Sequence, residues 1–134
     1  MAAAQTKNSK MLKKLFLINA IFECVGGIVL ILNPKILLQV EDQVLGTLFV
    51  ARLEGVSALF LGIISYQLFK YFDFSPIVRI ATLVFMTYHF ILALLLNNAY
   101  NVGITSSPGA FIIHFLMAIG FVFIFSKEKS NFPA

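Results

Sequence analysis

Four long apolar runs, separated by short polar punctuation, account for most of the chain. The first covers residues 15–33, from Leu15 to Leu32, and closes on Asn33-Pro34. The second covers 44–69, from Val44 to Phe69, and closes on Lys70. The third covers 77–97, opening after Ser75-Pro76 and closing at Asn97-Asn98. The fourth covers 109–126, opening after Ser106-Ser107-Pro108 and closing at Ser126-Lys127. Each approaches the length of about 20 residues that an α-helix needs to cross hydrocarbon. Proline just inside a start and polar residues past an end are ordinary helix punctuation. No run alternates polar and apolar long enough for a barrel strand, and runs apolar on every side read as helices. The pattern therefore predicts an all-α membrane protein with a single domain of four transmembrane helices. The short connections predict an antiparallel bundle. Residues 1–10 and the tail after Ser126 are polar and are predicted to be disordered.

Composition strengthens this picture. With 60% hydrophobic and 12% charged residues, a soluble domain of 134 residues would have too little interior for its apolar surface. A net charge of +4 can point to nucleic acid or anionic lipid, but here the bases flank the apolar runs. Lys7, Lys10, Lys13, Lys14, Lys70, Arg79, Lys127 and Lys129 all fall on one side of the predicted membrane. The other side has Lys35 against Glu41 and Asp42, and an uncharged loop before Pro108. The positive-inside rule then places both termini in the cytoplasm. No basic surface beyond these flanks speaks for nucleic-acid recognition. The single cysteine, Cys24, lies in an apolar run and has no second thiol for a disulfide or a metal site. The first run spans the bilayer by length and has no small-residue cleavage site, so it reads as a helix rather than a signal peptide.

Candidate chemistry rests on five ionisable residues inside the spans: Glu23, Arg52, Glu54, His89 and His114. Such groups are costly in hydrocarbon and mark pathways, ligand sites or specific pairings. At about 1.5 Å of rise per residue, Glu23 lies roughly 15 Å below the outer end of its span. By the same rise Arg52 and Glu54 lie roughly 10–15 Å, His89 about 12 Å and His114 about 8 Å below the outer ends of theirs. All five fall between the midplane and the outer interface. The helical repeat puts Asn19, Ala20, Glu23, Gly26 and Gly27 on one small, polar face, of the kind that packs helix on helix. It aligns His89 with Thr82, Met86 and Ala93, and His114 with Ala110 and Ala118. Arg52 shares a face with Gly55 and Gly62, nearly opposite Glu54. Pairing offsets desolvation, so Glu23 is expected to meet Arg52, and Glu54 to lie near the histidines.

These residues are a candidate ligand-binding set; no catalytic residue, cofactor or metal is assigned. Histidine and glutamate are ordinary zinc or iron ligands. The bundle sites best described use Glu-x-x-His on one helix, and neither histidine has a glutamate three residues before it. Short echoes between the spans, such as His89-Phe90 and His114-Phe115, hint at duplication.

A second span with Ala51-Arg52-x-x-Gly55 followed by Leu59 to Gly62, and a third ending in His89-Phe90 and a polar turn, give a layout that resembles small four-span proteins of the DoxX-like and Erg28-like kinds. The chain departs from the Erg28-like pattern in having Glu54 at an uncharged position and no tryptophan in the second span. The first resemblance implies accessory-subunit or assembly roles, the second the tethering of sterol-synthesis enzymes. On this basis the leading expectation is an integral membrane interaction protein: an accessory subunit, scaffold or assembly factor. Its partners would be the bilayer and other membrane proteins. The alternative is a small lipophile-binding or proton-coupled protein with an outward-facing intramembrane site. An enzyme ranks last, because no nucleophile or phosphate-binding motif supports one. The location is a membrane, crossed several times.

Overall fold

The computed structural model describes the backbone of residues 2–38 and 45–133, and the side chains of 11–38 and 45–133. Five α-helices follow in order: α1 (Ala2–Leu32), α2 (Pro34–Leu38), α3 (Leu45–Lys70), α4 (Pro76–Asn101) and α5 (Gly109–Glu128). A 3-10 turn at Lys129–Asn131 follows, and there is no strand among the described residues. Four stretches are long and apolar enough to cross a membrane: Met11–Leu32, Leu45–Lys70, Pro76–Asn101 and Gly109–Asn131. The predicted start of the second span at Val44, with Glu41 and Asp42, lies outside the described residues.

Three boundaries differ from expectation. The polar residues before Met11, expected to be disordered, continue α1 back to Ala2. The third span does not stop at Asn97-Asn98; α4 runs through both to Asn101. Its end is set by Gly103, whose φ of 77° is favourable only without a Cβ. There the Gly103 N–H donates to the Tyr100 carbonyl at 3.1 Å and the Ile104 N–H to that of Ala99 at 2.8 Å. The tail after Ser126, also expected to be disordered, is packed. Glu128 and Phe132 are buried. The Phe132 ring meets that of Phe74 edge-on at 5.1 Å, and Arg79 Nη1 donates to the Pro133 carbonyl at 3.3 Å. One aromatic residue and one guanidinium outweigh the polar composition of this segment.

Local sequence explains the other helix ends. Ser75 caps α4, its Oγ accepting from the Val78 N–H at 3.4 Å, with Pro76 in the first turn. Pro34 follows Asn33 directly and opens α2. The connector before α5 is fastened to the end of α2, where the Ser106 N–H donates to the Leu38 carbonyl at 3.3 Å.

The tightest packing joins α1 to α3, with α4 on α5 and α1 on α5. The α1–α3 contact is built on small residues. A Cβ at Gly27 would come within 2.7 Å of the Gly55 carbonyl oxygen and 2.9 Å of the Leu59 nitrogen. A Cβ at Gly62 would come within 2.9 Å of the Cys24 nitrogen. Both neighbours are backbone, which cannot step aside as a side chain does. The α3 face against α1 therefore carries Ala51, Gly55, Ala58, Gly62 and Ser65, all buried. Away from this seam lies an aromatic core: Phe16, Phe85 and Phe121 have ring centroids 5.7–5.9 Å apart and are essentially inaccessible. Most outward-facing positions of the spans are apolar, as contact with lipid requires.

Gly27→Ala and Gly62→Ala are expected to destabilise the protein by about 1–3 kcal/mol, the usual scale of overpacking. Gly26→Ala, which meets nothing within 4 Å, is expected to be silent or mildly stabilising. Thermal unfolding in detergent separates the two outcomes.

Candidate functional site

The polar face of α1 and the histidine face of α4 meet at the centre of the bundle. Asn19 and Glu23 are buried, as is His89; His114 reaches them from α5, and Glu54 with Tyr88 borders the same space. His89 rests on the aromatic core, stacked at 15° on Phe121 and 26° on Phe85.

With both imidazoles neutral, the hydrogen bonds among these groups have only one consistent direction. Ser65 Oγ is 2.8 Å from the Phe16 carbonyl oxygen, which can only accept. The single Ser65 proton is therefore committed there. Asn19 must then offer its Nδ2 amide to Ser65 Oγ, at 3.2 Å, and turn its Oδ1 toward His89 Nε2, at 2.6 Å. His89 Nε2 consequently carries the ring proton, and Nδ1 of the neutral ring is a bare lone pair. His114 Nδ1 lies 2.9 Å from that lone pair and must be the donor. The remaining nitrogen of His114, Nε2, is left as an acceptor. A backbone carbonyl on α1 thus sets tautomers on α4 and α5.

Beside this chain, Glu23 Oε1 is 3.8 Å from His89 Nδ1. Tyr88 donates to Glu54 Oε1 at 3.1 Å, and Glu23 is within reach of the same hydroxyl. The group opens onto a cavity of about 440 Å³. Glu23, Glu54, Tyr88, His89 and His114 line it as a cluster of neighbours. Its walls are mainly aliphatic, including Val25, Leu30, Leu92 and Ile113, and Leu38, Thr105 and Ser107 of the connectors complete it.

Of the five ionisable residues singled out from sequence, the fold brings Glu23, Glu54, His89 and His114 to one cavity. Arg52 is exposed and does not line it. The expected Glu23–Arg52 pair is absent among the described residues; the ion-pair neighbour of Glu23 is His89. The reason is angular. The α3 seam runs through Ala51, Gly55, Ala58, Gly62 and Ser65, and a step of one residue carries Arg52 about 100° away from it.

Tyr88 and Ser65 belong to the site and were not singled out as chemistry. A search for charged groups passes over a tyrosine next to a histidine. The acceptor of Ser65, Phe16, offers only a backbone oxygen, which has no sequence signature. Comparison with protein-family models, curated proteins and solved structures finds no match to this chain.

Removing the buried amide tests the hydrogen-bond chain. Asn19→Leu strands the His89 Nε2 proton and the Ser65 oxygen, with an expected loss of about 1–3 kcal/mol. Ser65→Ala in the Asn19→Leu background should cost clearly less than in the native protein, and a double-mutant cycle in detergent measures that coupling.

Proposed function

We propose that this chain binds a small lipophile with a hydroxyl-bearing head, inside the outer half of a membrane. The observation that carries the proposal is the cavity of about 440 Å³ with mainly aliphatic walls and a cluster of ionisable groups in its lining. Its volume lies within the range of about 300–1,000 Å³ usual for small-molecule sites, and that distribution of polar groups is the usual one. The groups left open to a ligand are acceptors: the carboxylate oxygens of Glu23 and Glu54, and His114 Nε2. They suit a head that donates, such as a hydroquinone or a sterol alcohol, better than one that only accepts.

Proton conduction across the membrane has less support. Phe16, Phe85 and Phe121 close the space beneath His89, and their rings carry no proton. The accessory-subunit or scaffold reading has the extensive exposed apolar faces in its favour, but lipid covers such faces equally well. Recovery of a stoichiometric protein partner in mild detergent would favour it.

The orientation belongs to the same proposal: an antiparallel four-helix bundle with both ends cytoplasmic. Lys13 lies over the Phe69 ring at 5.2 Å, which supports α1 starting where α3 ends. Lys70, Arg79 and Lys127 flank the spans consistently with that side being inside. Cysteines introduced at Ser130 and at Ser106, in a Cys24→Ser background, should label from opposite sides of sealed vesicles.

For binding, a hydroquinone with a fluorescent tail should bind the purified protein. Its methyl ether should bind at least about tenfold more weakly, the scale of a lost hydrogen bond to a charged group. Ala110→Phe, which fills the cavity, should abolish binding while the protein stays monodisperse. Equal affinity for the ether, or full binding by the filled variant, overturns the reading.

A further inference from the structure

We infer that Glu23, His89 and His114 form a binding site for one divalent transition-metal ion, of the zinc or ferrous class, at the floor of the cavity. One donor atom from each of the three residues lies within 4.8 Å of the others. A tetrahedral ion with bonds of about 2.0–2.1 Å holds its donors roughly 3.4 Å apart. The His89–His114 separation of 2.9 Å and the Glu23–His89 separation of 3.8 Å bracket that value. Two imidazoles and one carboxylate are a set that zinc and ferrous iron both accept.

Three features go beyond proximity. First, His89 is already in the ligating tautomer: its Nε2 proton goes to Asn19 Oδ1, and Nδ1 is bare and turned to the other donors. Metal-binding histidines are oriented by such a bond from the second nitrogen to an oxygen. Only His114 has to move its proton, from Nδ1 to Nε2, for both imidazoles to ligate through Nδ1. Second, the charge balance fits. Glu23 and Glu54 share the cavity, and no lysine or arginine lines it among the described residues. One dication would neutralise both carboxylates in a low-dielectric site. Third, the set leaves a coordination position open toward the cavity, as in zinc sites with three protein ligands. A ligand hydroxyl or a water could take that position. Donors drawn from α1, α4 and α5 need no Glu-x-x-His repeat, so its absence from the sequence carries no weight.

The site is independent of the lipophile proposal and is tested without any lipophile. The full chain, purified in detergent and stripped with chelator, is titrated with Co²⁺ alone. One equivalent should give visible absorption of tetrahedral intensity, displaced by Zn²⁺. His89→Phe keeps the stacking on Phe85 and Phe121 and removes a ligand; it should lose the spectrum, as should His114→Ala. Asn19→Ala should keep the spectrum and weaken affinity about 10–100-fold, the usual effect of losing an orienting partner. No spectrum in the native protein, or a spectrum that survives both histidine substitutions, overturns the site, whatever the folding of any variant. Failure here leaves hydroquinone binding untouched, and failure of hydroquinone binding leaves the cobalt titration untouched.

Discussion

A serine hydroxyl has one proton, and in this protein Ser65 gives its proton to a backbone carbonyl. The Phe16 oxygen lies inside α1, and its second lone pair accepts that bond at 2.8 Å. A chain of three further side chains follows from this commitment. Asn19 is oriented by Ser65, His89 by Asn19, and His114 by His89. A carbonyl cannot titrate or reverse its role, so the chain has a fixed anchor. In a low-dielectric interior each misplaced donor would be costly, so the network holds one arrangement of four helices: α1, α3, α4 and α5.

That anchor works only because α1 and α3 approach closely. Gly27, Gly55 and Gly62 bring the two backbones near enough for a serine on one to bond a carbonyl of the other. Larger residues would separate the helices and leave Asn19 and Ser65 facing empty space. The aromatic core then sets the direction in which the site faces. With Phe85 and Phe121 stacked on His89, the aromatic core borders the polar groups, and among the described residues the cavity is room that they also line. A group of titratable side chains that opens one way is suited to holding a ligand or an ion, and less to passing one through.

The cluster joins two chemistries that are normally separated in a membrane. Glu54 and Tyr88 form a pair; Glu23 and the two histidines form a group of three, and both line one largely apolar space. A lipophile entering that space would find acceptors on both sides of its head. A metal ion at the histidines would turn one of those sides into a Lewis acid. Either occupant would explain why acids are kept in the core with no lysine or arginine lining the cavity among the described residues.

The apolar runs by themselves determined the helical class, the number of long spans and, through the 3.6-residue repeat, which faces of α1 and α4 turn inward. Asn19, Glu23 and Gly27 on α1, and Thr82, His89 and Ala93 on α4, are buried as that repeat requires. Depth along each span already gathered the ionisable residues at one level. Tertiary structure alone decided the partners, because a partner depends on an angle between helices that no single repeat encodes. Arg52 and Glu54 are two residues apart, yet a turn of about 200° sends one outward and the other to the cavity. The packed tail and the bond to the Phe16 carbonyl were beyond sequence for the same reason. Phe132 finds its pocket, and Ser65 its acceptor, only where another part of the chain happens to end, and a backbone oxygen is the same at every residue.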